Sequence, residues 1–192
     1  MKASAEREAT GADVLHLEVG QPSTSAPKKV LEAAKLALTN DNLGYTVAFG
    51  LPELRERITQ HYKIWYGVDI SIDRVAVTNG SSAAFILSFM ASFNPGDRVA
   101  MVAPGYPAYR NILTALGIET IELQANIEHR FQPTVSLLKK IKGNIDGLII
   151  ASPSNPTGTM IDKRLMEELA DYCEYEGIRL ISDEIYHGIT YG

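Results

Sequence analysis

Two acidic residues and a tyrosine follow a short apolar segment near the C-terminus. The segment 178–181 is apolar enough to predict a buried strand, and Asp183, Glu184 and Tyr186 come directly after it. Ligands of open α/β sheets bind at the carboxyl ends of the strands. A carboxylate at that edge is suited to hold a cationic ligand atom, although strand-ending acids also commonly begin a loop or cap a helix.

A proline-rich loop follows a second apolar segment, 147–151. It contains Ser152-Pro153-Ser154-Asn155-Pro156-Thr157-Gly158, in which Pro156 favours an extended backbone at Asn155. The Asn155 amide is then available to a ligand oxygen. Considered alone, the loop is explained more simply as an Asn-Pro turn.

Small residues at the start of a predicted helix form a candidate anion site. Gly80, Ser81 and Ser82 follow the apolar segment 75–77. Backbone N–H groups, two hydroxyls and the positive end of the helix dipole all favour a phosphate there. Either serine would serve equally well as a helix cap. A nucleotide P-loop is excluded because no lysine follows the glycine, and the sequence contains no G-x-G-x-x-G.

Tyr106 lies between two prolines in the segment Ala103-Pro104-Gly105-Tyr106-Pro107. The prolines restrict the backbone, so the ring could be held against a flat ligand. Stacking of this kind contributes about 0.5–1.5 kcal/mol beyond area burial. The alternative is an ordinary aromatic residue in a turn.

These segments belong to a regular alternation of predicted strands and helices. Such alternation predicts βαβ units, right-handed crossovers and a mostly parallel sheet flanked by helices, which is the α/β class. We predict strands at 75–77, 99–102, 120–123, 147–151 and 178–181, and helices at 81–93, 108–116, 134–141 and 163–176.

The region before residue 75 predicts one strand and two helices. Leu15–Val19 alternates like a strand and ends at the turn Gly20-Gln21-Pro22. Pro27 and Pro52 each suit the first turn of a helix, and Gly67 suits the end of the second one. The first helix carries an apolar stripe of Val30, Ala33, Ala34, Ala37 and Leu38, and the second places Tyr62 and Trp65 at core spacing.

Composition sets broad limits on function. The 192 residues are 45% hydrophobic and 21% charged with a net charge of -5, a globular profile that favours neither nucleic acid nor a membrane as partner. The first eight residues do not resemble a signal peptide, and the four histidines show no metal-ligand spacing. The single cysteine, Cys173, is predicted to pack in the core, and we expect a cytoplasmic protein.

The motifs together resemble the N-terminal half of a fold-type I pyridoxal-phosphate enzyme of the class I/II aminotransferase family, which includes aspartate aminotransferase. The resemblance runs over nearly the whole chain in the family's order. The matching segments are Gly20-x-Pro22, Tyr45, Gly50-x-Pro52-x-Leu54-Arg55, Gly80-Ser81-Ser82, Pro95-Gly96-Asp97, Tyr106, Ser154-Asn155-Pro156-Thr157-Gly158 and Ser182-Asp183-Glu184-Ile185-Tyr186.

The resemblance implies a role for each matching residue toward pyridoxal 5'-phosphate. Asp183 would hold the protonated ring nitrogen, Asn155 and Tyr186 the phenolic oxygen, and Tyr106 the ring face. Gly80, Ser81 and Ser82 would bind the phosphate. Tyr45 would reach the phosphate of a second subunit, which implies a homodimer, and the backbone of Gly20 would face the substrate carboxylate. The substrates implied are an amino acid and a 2-oxo acid.

The family's catalytic lysine, which forms a Schiff base with the cofactor, is expected after Gly192. None of the lysines in this sequence matches a functional position of the family. We therefore expect a fragment of a longer enzyme, inactive alone. It would comprise an N-terminal arm and small-domain segment at 1–46 and the first part of the cofactor-binding large domain at 47–192. Two alternatives stay open: a lyase or synthase of the same fold, and a non-catalytic cofactor-binding or assembly module.

Overall fold

The computed structural model describes residues 1–16, 20 and 24–190, and it divides the chain into two compact units, Met1–Ala48 and Phe49–Gly192. The first unit contains helices α1 (Lys2–Ala9) and α2 (Lys28–Asn40). Helix α2 begins directly after Pro27, but none of its apolar stripe is fully buried. The predicted strand Leu15–Val19 and the turn Gly20–Pro22 lie largely outside the described residues.

The second unit alternates helices and strands. Its helices are α3 (Pro52–Tyr66), α4 (Ser81–Ser92), α5 (Pro107–Ala115), α6 (Val135–Leu138) and α7 (Lys163–Glu176). Its strands are β1 (Arg98–Ala103), β2 (Glu119–Gln124), β3 (Gly147–Ala151) and β4 (Arg179–Asp183), and two short 3₁₀ turns occupy Ile72–Arg74 and Ile127–His129.

The four strands form one sheet in the order β2-β1-β3-β4, and every pair is parallel. The predicted α/β class is therefore confirmed. Because the strands are parallel, their carboxyl ends lie along one edge. The register pairs Ala151 with Asp183, so the loop after β3 begins beside the last residue of β4.

Helices cover both faces of this sheet. Residues that alternate along a strand point to opposite faces, and the core divides accordingly. Helices α4 and α5 pack on one face through Phe89, Leu113 and their neighbours. Helices α6 and α7 pack on the other through residues that include Leu169 and Cys173, so the predicted packing role of Cys173 is confirmed. Burial raises the pKa of the Cys173 thiol to about 11, which keeps it uncharged.

Gly147, at the start of β3, is required by a close approach between elements. A Cβ atom at this position would lie 2.3 Å from Cζ of Phe93, which is buried. Any side chain would therefore displace the phenylalanine that closes the end of α4.

The predicted strand at Val75–Val77 is wrong for the part of the chain that the structure describes. Val75 is extended, but the Val77 N–H donates to the Phe49 carbonyl, at 3.0 Å, and the segment is not part of the sheet. Only Val75 of the three residues is buried. An extended backbone without a neighbouring strand has no hydrogen-bond ladder to join.

Two predictions about helices also need correction. Trp65 was expected in the core, but its side chain is 69% exposed, and its ring packs on that of His61, with centroids 5.4 Å apart. Tyr62 is half-buried. The helix predicted at 134–141 is only Val135–Leu138, capped by the Thr134 hydroxyl, which accepts from the Leu137 N–H at 3.2 Å.

Within the residues described, no helix combines the length and the apolar character needed to cross a membrane. The same residues contain no group of three or more His, Cys, Asp or Glu side chains arranged to hold a metal ion.

Candidate active site

A cavity of about 130 Å³ opens at the carboxyl edge of the sheet. It lies where the segments that follow β1, β3 and β4 meet the start of α4, all within the second unit. The sequence had suggested these four places for four different reasons. The cavity is lined by Ser81, Tyr106, Tyr109, Ala151, Pro153, Asn155, Asp183, Ile185 and Tyr186.

Asp183 is the last residue of β4, and both of its carboxylate oxygens accept hydrogen bonds. Oδ1 accepts from the Ile185 N–H at 3.1 Å, and Oδ2 accepts from the hydroxyl of Tyr109. The first contact is local to the turn after the strand, whereas the second comes from helix α5. The carboxylate is therefore held from two independent elements while it still lines the cavity.

Asn155 lies in the loop after β3, next to Tyr186. Its Nδ2 atom donates to the Tyr186 hydroxyl over 3.5 Å, and both side chains are half-buried. The loop also forms a tight turn, because the Gly158 N–H donates to the Ser154 carbonyl at 2.8 Å. The two interpretations of this loop therefore hold together: it forms a turn, and the turn places the Asn155 amide at the cavity wall.

Gln132 is a buried residue that supports this loop through hydrogen bonds, and no sequence motif indicated it. The side chain is only 2% exposed. Its Nε2 atom donates to the carbonyls of Ala151 and Thr159 at 3.2 and 2.9 Å. A buried amide with partners at both ends of a loop ties those ends together, since an unmade hydrogen bond in the interior is costly.

Gly80 occupies the N-cap position of α4, with φ +80° and ψ 168°. This backbone conformation favours glycine because it has no Cβ. Gly80 has no side chain with which to cap the helix, and no cap from a side chain is found there among the described residues. Neither Ser81 nor Ser82 is the N-cap residue, so the simple capping interpretation is wrong. Ser81 lines the cavity, whereas Ser82 does not.

Tyr106 and Tyr109 stand together at the start of α5. Tyr106 is the N-cap residue, and its ring meets that of Tyr109 edge to face, with centroids 5.4 Å apart and an interplanar angle of 81°. Tyr109 is buried, and its ring also meets Phe85 edge to face at 5.0 Å. The aromatic wall of the cavity is therefore anchored in the core under α4.

Two predicted site residues belong to the first unit. Gly20 and Tyr45 are both exposed there, and Tyr45 has no neighbour that covers its ring among the described residues. Their predicted roles toward substrate and toward a second subunit stay predictions.

Glu184 lines a different and larger groove, of about 710 Å³, together with His187 and aromatic side chains of α3. The hydroxyl of Tyr66 lies 3.1 Å from Nδ1 of His187. Burial, followed by the charge of Glu184, raises the pKa of Tyr62 in the same groove. Two acids that are adjacent in the sequence therefore face different cavities, and only Asp183 shares one with Ser81.

Comparison with known proteins agrees with this arrangement. The sequence model of the family described as "Aminotransferase class I and II" matches residues 12–192. A curated relative, valine–pyruvate aminotransferase of Mycobacterium tuberculosis, is 48% identical over 98% of this chain and 49% of its own length. Aspartate aminotransferase of Pyrococcus horikoshii is 35% identical over 97% of this chain and 48% of its own length.

Solved structures lead to the same family. The crystal structure of an aminotransferase from Mycobacterium tuberculosis superposes with a TM-score of 0.95 at 48% identity, over 99% of this chain and 49% of that one. Alanine aminotransferase from Pyrococcus furiosus superposes with a TM-score of 0.91 at 33% identity, over 98% of this chain and 49% of that one. The chain belongs to the class I and II aminotransferases, and it spans about half the length of the relatives it matches.

Proposed function

We propose that this chain supplies most of the cofactor site of a pyridoxal-phosphate-dependent aminotransferase. The complete enzyme would transfer an amino group between an amino acid and a 2-oxo acid. The observation that carries the proposal is the single cavity shared by Ser81, Tyr106, Asn155, Asp183 and Tyr186. Family membership supports the reaction type, because the relatives that match along this chain are named as aminotransferases.

The chemistry of the cavity fits pyridoxal phosphate group by group. The Asp183 carboxylate would face the cationic ring nitrogen, and the Tyr106 ring would face the flat pyridine ring. The Asn155 amide and the Tyr186 phenol would face the phenolic oxygen. The start of α4, where no side chain caps the N–H groups of the first turn, suits a phosphate dianion. When bound, pyridoxal phosphate supplies an electron sink for the negative charge that develops as the substrate loses its α-proton.

Each side chain then has a defined task. Asp183 binds the protonated ring nitrogen and keeps it protonated, because a charge-assisted hydrogen bond contributes roughly 1.5–3 kcal/mol. Tyr106 covers one ring face and excludes water from it. Asn155 and Tyr186 bind the phenolic oxygen. Gly80, Ser81 and Ser82 bind the phosphate through backbone N–H groups and hydroxyls.

Residues of the first unit would complete the site. The backbone of Gly20 would bind the substrate carboxylate, and Tyr45 would reach the phosphate bound by a second copy, so the working enzyme would be a homodimer. These two roles rest on the family resemblance. The single cysteine, Cys173, which is buried, fits a protein of the reducing cytoplasm.

An amino-transfer assay tests the proposal. We expect the full-length protein, with pyridoxal phosphate, to form alanine and a branched-chain 2-oxo acid from valine and pyruvate, the pair in the name of the Mycobacterium tuberculosis relative. The chain 1–192 alone should not do so, because the family's cofactor-binding lysine is expected after Gly192.

Two results would contradict the proposal. Cofactor binding by the full-length protein without amino transfer to any of a panel of 2-oxo acids would favour a lyase or synthase of the same fold. Failure to bind pyridoxal phosphate at all would favour an assembly role. Robust transfer by residues 1–192 alone would show that the lysine assignment is wrong.

A further inference from the structure

Tyr109 is the most deeply buried ionisable side chain at the cavity edge, and the roles proposed above do not use it. It lies on the first turn of α5 and is 4% exposed. Its hydroxyl donates to Oδ2 of Asp183, which is 74 positions away in the sequence. A hydrogen bond between a helix and a strand end at this separation fixes the carboxylate relative to the rest of the sheet.

The ring of Tyr109 has little freedom to move. It meets the rings of Phe85 and Tyr106 edge to face, with centroids 5.0 and 5.4 Å away and interplanar angles of 80° and 81°. Phe85 belongs to α4, the helix whose start forms the candidate phosphate site. Tyr109 therefore contacts both sides of the cavity: its hydroxyl donates to Asp183, and its ring packs against Phe85 of α4.

The surroundings of the phenol keep it a hydrogen-bond donor. Burial, the hydrogen bond to Asp183 and the charge of Asp183 all raise the pKa of Tyr109 far above its usual range, and the phenols of Tyr106 and Tyr186 act in the same direction. Asp183 is the one charged group that faces the hydroxyl among those side chains. The hydroxyl proton therefore stays on Tyr109 and points at Oδ2 throughout the pH range in which proteins work.

We propose that Tyr109 is a positioning residue, whose hydroxyl holds the Asp183 carboxylate in the orientation that binds the ring nitrogen of pyridoxal phosphate. The Ile185 N–H occupies one carboxylate oxygen and Tyr109 the other, so rotation of the carboxylate would break at least one of these bonds. The inference rests on the proposed function, and it adds a residue that the family motifs did not indicate.

Tyr109→Phe tests the inference, because it removes the hydroxyl and keeps the ring against Phe85 and Tyr106. Tyr175→Phe is the matched control, since it makes the same chemical change at a side chain that is 87% exposed. In the full-length protein, we expect Tyr109→Phe to raise the dissociation constant for pyridoxal phosphate about 2- to 12-fold, less than loss of the carboxylate itself, because the Ile185 N–H still holds one oxygen. The control should leave it unchanged.

A second readout separates positioning from general loosening. NMR of pyridoxal phosphate labelled at the ring nitrogen reports whether that nitrogen carries a proton. We expect the protonated fraction to fall in Tyr109→Phe and to stay unchanged in Tyr175→Phe. A double-mutant cycle with Asp183→Ala should show that Tyr109→Phe has little further effect on cofactor affinity once position 183 has no side-chain oxygen to orient.

The outcomes distinguish this inference from the proposed function. Tight cofactor binding by the unaltered protein, with equal affinity and equal ring protonation in Tyr109→Phe, overturns the inference alone. Additive effects of Tyr109→Phe and Asp183→Ala on cofactor affinity also overturn it, because the tyrosine would then act independently of the carboxylate. This cycle decides the matter even where Tyr109→Phe lowers stability. Absence of pyridoxal-phosphate binding by the unaltered protein overturns both.

Discussion

Replacing Asp183 with alanine in the full-length protein is expected to lower the proposed amino-transfer turnover about 100- to 1,000-fold, the usual cost of removing one preorganised electrostatic group. Asp183 is the one carboxylate that lines the strand-end cavity among the described residues. In the proposed cofactor site, its loss would remove the counter-charge of the ring nitrogen. Pyridoxal-phosphate affinity should fall roughly 10- to 150-fold, which corresponds to a charge-assisted hydrogen bond of about 1.5–3 kcal/mol.

Asp183→Asn separates charge from packing. Asparagine keeps the size of the side chain and one acceptor oxygen for the Tyr109 hydroxyl or the Ile185 N–H, so this variant should lose most of the turnover but less stability than Asp183→Ala. Glu184→Gln is the matched control, because Glu184 is exposed and lines the other groove. Unchanged affinity and turnover in Asp183→Ala, or equal losses in Glu184→Gln, would show that the role of Asp183 has been assigned wrongly.

Replacing Phe89 with alanine is expected to lower the free energy of unfolding by about 3–5 kcal/mol. Phe89 is fully buried at the centre of the core between α4 and the sheet. Its ring stacks on Phe85 with centroids 5.7 Å apart and contacts Phe93 at 6.3 Å. Truncation would leave a cavity that these rings cannot fill without leaving their own positions, so the full cavity cost applies.

Urea denaturation measures this loss. Phe89→Leu should lose less than Phe89→Ala, because more of the volume is kept, and both should keep the slope of the denaturation curve. Ser88→Ala, on the exposed side of the same helix, should change stability by less than about 0.5 kcal/mol. A loss below about 1 kcal/mol for Phe89→Ala would mean that α4 does not pack on the sheet as described.

The fold of the second unit was largely predictable because its signals are local. Strands β1, β3 and β4 lie in largely apolar segments that end at or close to a proline or an acidic residue. Helix α7 begins after Asp162, whose side chain accepts from the Leu165 N–H at 2.9 Å. Parallel pairing then follows from the alternation of strands and helices. Once the strands are parallel, Asp183, Asn155 and Tyr106 must meet at one edge.

The errors lie where structure depends on distant neighbours. Val75–Val77 has the composition of a strand, but a strand exists only beside another strand. The helical spacing of Trp65 indicates which face it occupies, and it does not indicate that another element covers that face. Likewise, the apolar stripe of α2 is a property of the helix, whereas its burial depends on what packs against it.

The sequence also could not indicate the residues that support the site. Tyr109 looked like one more aromatic residue near Tyr106, and Gln132 followed no motif. Their importance comes from hydrogen bonds across the fold, to Asp183 in one case and to both ends of the Asn155 loop in the other. The three-residue spacing between Tyr106 and Tyr109 at the start of one helix was the available hint, since residues at this spacing lie on the same side of a helix.

The most direct test is a crystal structure of the full-length protein with pyridoxal phosphate. We predict that the ring nitrogen lies within hydrogen-bond distance of an Asp183 carboxylate oxygen, that Tyr106 covers one ring face, and that the phosphate contacts the N–H groups at Gly80–Ser82. A cofactor bound in the groove lined by Glu184 and His187, or a ring nitrogen directed away from Asp183, would contradict this account.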